Sequence, residues 1–233
     1  MKSRMLPDNL TRPGRVAPRT IGYAVTSLLL ASLTGAAGAN LVLNGSFEVN
    51  TATSTIYNLS NAVWNATVAN STAFGMSQEL DLMTLDSVYG SPPPDGLWKV
   101  GLHSRAGDGA LDAFSLNLSS PVVAGQTYRL RFSAESVTAF DPGLGMVAIG
   151  ISGSATAFGT GVFSATPSAG SWTQYDQELI APVNGLYLTV SSVANNNGWT
   201  HVDNFQLEAV PEPAAWAIVA LGPVLLAWRR RCD

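Results

Sequence analysis

The sequence predicts an all-β protein: one antiparallel β-sandwich, flanked by two terminal segments that do not belong to the fold. Three observations predict it. Through most of residues 40–210 apolar and polar residues alternate with a period of two, the pattern of a strand with one buried face. Clusters of Gly, Pro, Asn, Asp and Ser separate the alternating runs, as turns between short strands require. Helical periodicity is hard to find there, so no helix longer than about three turns is expected. Half-wet strands must cover each other's apolar faces, and two packed sheets do this.

The chain opens with Lys2, Arg4, Arg12, Arg15 and Arg19, then an apolar run over residues 21–33, then small residues ending in Ala37-Gly38-Ala39. Charged, apolar, small is the order of a secretory signal peptide, here residues 1–39. Signal peptidase is expected to cut after Ala39 and leave Asn40 as the new N-terminus. The sandwich domain then occupies residues 40–209.

The strands follow in order. "NLVLNGSFE" opens the domain, and residues 51–72, rich in Ser, Thr, Asn and Ala, read as a long loop with one or two weak strands. "LWKVGLH" puts Trp98, Val100 and Leu102 on one face, with Lys99 and His103 on the other. "AFSLNL" groups Phe114, Leu116 and Leu118, and "QTYRLRFSA" groups Tyr128, Leu130 and Phe132 opposite Arg129 and Arg131. "MVAIGIS" groups Val147, Ile149 and Ile151; "GLYLTVSS" groups Leu186, Leu188 and Val190. The last strand, "VDNFQLE", points Phe205 and Leu207 inward, and Asp203 by the same parity.

Residues 40–213 contain four basic and fourteen acidic residues, a net charge of −10; eight of the twelve basic residues of the chain lie in the terminal segments. Such a domain repels phosphate backbones, so nucleic acid is not an expected partner. Excess carboxylate suits cations. The single cysteine, Cys232, lies outside the domain, so neither a disulfide nor a cysteine-ligated metal holds the fold.

After the last strand come Val210-Pro211-Glu212-Pro213, fifteen uncharged residues over 214–228, and Arg229-Arg230-Arg231. The uncharged run reads as a short single transmembrane helix, about 22 Å long at 1.5 Å per residue, bracketed by Trp216 and Trp228. Its arginines would stay on the cytoplasmic side. The ordered set over residues 210–233 resembles the PEP-CTERM sorting signal of Gram-negative bacteria. The resemblance implies that an exosortase recognises Pro211, Glu212 and Pro213 and removes the helix and tail. The membrane anchor would then be transient, with the domain bound for the cell surface or extracellular matrix in organisms that make exopolysaccharide and biofilm.

The motifs "NLVLNGSFE", "PPDGLWKVGL", "VAGQTYRLRFSAES", "GSWTQY" and "HVDNFQLE" resemble, in this order, the jelly-roll sandwich of galactose-binding-like domains and carbohydrate-binding modules. That resemblance implies a structural Ca²⁺ held by Glu48 and Asp203, since first and last strands lie close together in such folds and two carboxylates converging there need a cation between them. The alternative is that each caps a turn or pairs with Arg129 or Arg131.

Sugar rings stack on aromatic faces flanked by hydrogen-bonding groups. Trp98 and Trp172 read as core. Trp199 sits in the polar stretch "NNNGWTH" with Asn195, Asn196, Asn197 and His201, so Trp199, Asn197 and His201 are the candidate ligand-binding residues. No nucleophile elbow, phosphate loop or histidine metal spacing is present, and no carboxylate pair stands out among the fourteen, so no enzyme is expected. The expected function is carbohydrate binding without catalysis, the ligand being the cell's own exopolysaccharide. The alternatives are a structural matrix protein with no specific sugar binding and, third, a glycan-cleaving enzyme.

Overall fold

The computed structural model describes residues 38–105, 109–139, 143–193 and 197–211. The expected signal peptide lies outside them except for its last two residues. Glu212, Pro213, the expected helix over 214–228, the arginine tail, Asn195 and Asn196 also lie outside them. Among the described residues no helix is long and apolar enough to cross a membrane.

The elements among the described residues are β1 (Ile56–Leu59), α1 (Asn61–Thr67), β2 (Ser71–Ala73), β3 (Leu80–Met83), β4 (Lys99–Ser104), β5 (Ala113–Val122), β6 (Thr127–Val137), β7 (Val147–Ser152), β8 (Thr160–Ala165), β9 (Thr173–Ile180), β10 (Gly185–Ser192) and β11 (Gly198–Ala209). They form a six-stranded sheet in the order β1-β3-β4-β11-β6-β9 and a five-stranded sheet in the order β2-β5-β10-β7-β8. Every pairing between these strands is antiparallel. The chain is an all-β sandwich, as its alternation predicts.

The core lies between the sheets. Val100, Leu102, Phe114, Leu116, Tyr128, Leu130, Phe132, Val147, Ile149, Ile151, Leu188, Val190, Phe205 and Leu207 are buried in it, each worth about 1.5–3 kcal/mol of burial before ordering costs. Trp98 joins them. Leu186 does not: it is 47 % exposed, because the β10–β5 register shifts between Gly185 and Tyr187 and breaks the alternation there. The segment over 51–72 holds β1, β2 and also a helix that alternation does not announce. Ser60 caps α1 through its hydroxyl, accepting from the Val63 amide, and Trp64 fixes the helix to the core, its indole N–H donating to Ser71 Oγ at 3.0 Å.

The opening motif closes the seam between the sheets. The Leu41 amide donates to Leu207 on β11, and the amides of Leu43 and Ser119 link the segment to β5. The Phe205 amide donates to the Gly45 carbonyl at 3.0 Å, so close that a Cβ on Gly45 would collide with the Phe205 backbone. Phe47 adopts φ 60° and drives its ring among Trp64, Phe114 and Phe205, with centroids 5.7–6.4 Å apart. Asn44 holds this turn, its side chain bonding Val49 and Ala69. "NGSFE" is thus first of all a structural corner.

Two features place the outer face of the six-stranded sheet. A bulge in β11 shifts the β6 register between Asp203 and Gln206, with Asn204 at φ 56°. Val202 and Phe205 both face the core, so Asp203 points to the outer face, not inward as parity alone predicts. Residues 84–98 between β3 and β4 cross that outer face as a long connection. It covers Lys99, Glu135, His201 and Asp203, at most 1 % exposed. Lys99, which alternation places on a wet face, is therefore buried.

Candidate functional site

A cleft of about 490 Å³ opens on the outer face of the six-stranded sheet, lined by Tyr57, Asn58, Glu79, Asp81, Tyr89, His103, Arg105 and Trp199. Strands β1, β3, β4 and β11 bring these residues together, because His103 faces Trp199 and Asp81 faces Gly101 in register. Tyr57 and Tyr89 meet edge-to-face at 5.7 Å, and Tyr89 meets Trp199 at 5.5 Å. Tyr57 is 38 % exposed and Tyr89 half-buried, so the tyrosines present the accessible aromatic faces.

The polar side of the cleft is anchored. Glu79 pairs with Arg105 and lies 3.8 Å from His103 Nδ1. Asp112 sits just behind, accepting the Glu79 and His103 amides at 2.9 Å each. Burial pushes its carboxyl up to about 6. Asp81 accepts the Asn58 amide at 2.8 Å; burial pushes it up to about 7, the Asn58 amide opposing and Asp112 reinforcing the rise. Near neutral pH the floor of the cleft thus presents, at Asp81, a carboxyl that can donate or accept a hydrogen bond, beside the Glu79–Arg105 salt bridge.

The residues singled out in the sequence fall differently. Trp199 does line the cleft, but as the second residue of β11 and only 6 % exposed, packed with Met83, Val137 and Tyr89. Asn197 is exposed just before the strand and is not among the cleft-lining residues. His201 is fully buried beneath the 84–98 connection, its Nδ1 3.0 Å from Glu135 Oε1. Burial pulls its pKa down to about 4, so it is a neutral interior ring out of a ligand's reach. Tyr57, Tyr89 and the Glu79–Asp81 pair are not legible as a site, since they lie on β1, on the 84–98 connection and at the start of β3, and only strand pairing and the packing of that connection join them.

Glu48 and Asp203 do converge. Glu48 Oε1 accepts the Leu97 and Trp98 amides at 2.7 and 2.9 Å. Asp203 accepts the Asn204 amide at 2.6 Å and the Asp95 amide at 3.3 Å. Burial pushes Asp203 up to about 8, and the charges of Asp95 and Glu48 add to that rise. Each carboxylate already fastens a turn, the capping role that was the alternative to a metal. Neither meets Arg129 or Arg131, which pair with Asp176 and Glu208. Among the described residues no group of three or more His, Cys, Asp or Glu side chains is arranged to hold a metal. A cation here would need backbone carbonyls to complete its shell, a donor set Ca²⁺ accepts.

No protein-family model matches the sequence. No curated protein matches it significantly. Solved structures similar to the chain include carbohydrate-binding modules, an adhesin domain and part of a phage tailspike. One is TmCBM61 in complex with β-1,4-galactotriose, with 16 % identity, a TM-score of 0.45, and coverage of 73 % of this chain and 99 % of that one. Another is the K2 cleaved adhesin domain of Lys-gingipain, with 13 % identity, a TM-score of 0.47, and coverage of 75 % and 99 %. A third is the enzymatically active domain of bacteriophage CBA120 tailspike protein 4, with 15 % identity and a TM-score of 0.43, where the match covers 73 % of this chain but 21 % of that one. At these identities and scores none of them speaks to this chain's ligand or activity.

Proposed function

We propose that the domain binds carbohydrate without cleaving it, and that it does so as an exported protein sorted by exosortase, its ligand the cell's own exopolysaccharide. The observation that carries the reading is the cleft: two accessible tyrosine faces and an indole edge beside Asn58, Glu79, Asp81, His103 and Arg105. Aromatic faces accept the C–H face of a sugar ring, and the polar groups offer both donors and acceptors to hydroxyls. The test is a glycan array on residues 40–210, repeated with Tyr57→Ala and Tyr89→Ala. Specific binding weakened about tenfold by each, a loss near 1.4 kcal/mol, supports the reading. Trp199→Ala tests the same wall but also cuts into packing. The burial of Trp199 favours the second reading, a structural matrix protein with no sugar specificity, and an array blank for every glycan including host exopolysaccharide would establish it. Product release lost in Asp81→Asn would instead make the protein a glycan-cleaving enzyme.

Export and sorting rest on the terminal motifs. The last strand ends at Ala209, and the Val210 amide still donates to Thr127 at 2.9 Å, so Pro211 leaves the sheet where the sorting motif begins. Mass spectrometry of the surface protein should find Asn40 first and no peptide beyond Pro213; an intact arginine tail at the surface would refute processing. Glu48 and Asp203 are the proposed Ca²⁺ ligands, with a structural rather than catalytic part.

A further inference from the structure

We propose that Lys99 and Glu135 are positioning residues of the cleft: a buried ion pair that straps residues 84–98 onto the sheet and so holds Tyr89 against Trp199. The proposal rests on the carbohydrate-binding reading for its affinity arm only. Up to Trp98, which enters the core at its end, the connection is not held by its own apolar side chains. Leu85, Val88 and Leu97 are 58, 82 and 52 % exposed, and Tyr89 packs on the outer face against Trp199. Polar contacts to the sheet hold it instead. Lys99 Nζ donates to the Tyr89 carbonyl at 2.8 Å and to the Ser91 carbonyl at 2.7 Å. Glu135 Oε1 accepts the Ser91 amide at 2.7 Å and lies 3.8 Å from Lys99 Nζ. Two residues of the connection are thus gripped on either side of Gly90, whose φ is 69° and whose added Cβ would collide with Glu135 and His201. Further along, the Trp172 indole donates to Pro92 at 2.7 Å.

Stability alone does not explain this arrangement. A buried ion pair seldom repays its own desolvation, and an apolar pair of similar volume often does as well or better. What Lys99 and Glu135 supply is direction: an ammonium aimed at two carbonyls and a carboxylate aimed at one amide fix the backbone of residues 89–91, where an apolar pair would fix nothing. With Tyr89 in place before ligand arrives, the ordering cost of binding is already met by the fold.

The test uses the full sandwich domain with Lys99→Met, a near-isosteric change that removes the charge and donors, and with Gly90→Ala, whose added Cβ presses on Glu135 and His201 and lifts the connection while leaving Lys99 unchanged. In ligand-free protein, amide hydrogen exchange over residues 85–97 should quicken at least about tenfold in both, while the core strands keep their protection. Affinity for the glycan found on the array should fall about tenfold in Lys99→Met. In a double-mutant cycle Lys99→Met should cost little more on Tyr89→Ala. Unchanged exchange over residues 85–97 in both variants overturns the proposal whether or not a glycan binds. Full additivity with Tyr89→Ala overturns it equally. If Lys99→Met does not fold, Gly90→Ala decides. If no glycan binds the wild type, the carbohydrate reading fails while the exchange arm still tests the strap.

Discussion

One residue in the left-handed region, Asn204 at φ 56°, decides which side of a sheet Asp203 occupies. Asn tolerates that conformation, yet nothing in "VDNFQLE" marks it as a bulge, so strict alternation turns Asp203 inward. The alternation of Phe205 with Leu207, and of Tyr128, Leu130 and Phe132, was legible because each depends only on neighbours along one strand. Gly45 shows the same scale from the opposite side. Its close approach to Phe205 leaves no room for a methyl group, and the obstacle is backbone, which cannot rotate away. Gly45→Ala should therefore destabilise the domain by about 2–3 kcal/mol, read as a lowered midpoint in urea with the slope unchanged. An unaltered midpoint would mean that the opening segment is not locked to β11.

At the scale of the element, "GSPPPDG" over residues 90–96 reads from sequence as a turn before the strand "LWKVGLH" and no more than that. Its role comes from what lies beneath it. Lys99 sits on a strand face that alternation assigns to solvent, and the connection that precedes it folds back over it; local pattern carries no record of such a cover. The cleft was illegible for the same reason, since Tyr57 and Asp81 become neighbours only when β1 pairs with β3. The same connection ends at the proposed cation site, where Glu48 clasps Leu97 and Trp98. If Ca²⁺ lies between Glu48 and Asp203, a chelator should lower the melting temperature of the wild type, and Glu48→Ala should be less stable yet indifferent to chelator. Identical melting of metal-stripped and calcium-loaded wild type would show that the two carboxylates act as turn clasps alone.

For the whole molecule, pH is the discriminating variable. Burial raises Asp112 to about 6 and Asp81 to about 7 from an ordinary 3.8. The folded state therefore holds protons that the unfolded chain has released, and stability falls as pH rises from about 4 through these values. His201 works in the other direction: lowered to about 4, it contributes stability above about pH 6.5 that is lost on acidification toward 4. Asp203, raised to about 8, acts in the same direction, and three carboxyls outweigh one imidazole, so the domain should melt at least about 4 °C higher at pH 5.5 than at pH 8. Asp81→Asn should shrink that difference. A domain that melts higher at pH 8 would contradict the burial of these carboxyls.

β11 also sets a distance. The chain leaves the sandwich at Val210, one residue past the end of this strand, whereas the cleft gathers around Trp199 near its start. Eleven steps of extended chain separate Trp199 from Val210, roughly 36 Å at 3.3 Å per residue. The residue expected to become the new N-terminus, Asn40, lies at the exit end too, its side chain accepting the Leu207 amide at 2.9 Å. The chain therefore enters and leaves the described sandwich at the end of β11 away from the cleft.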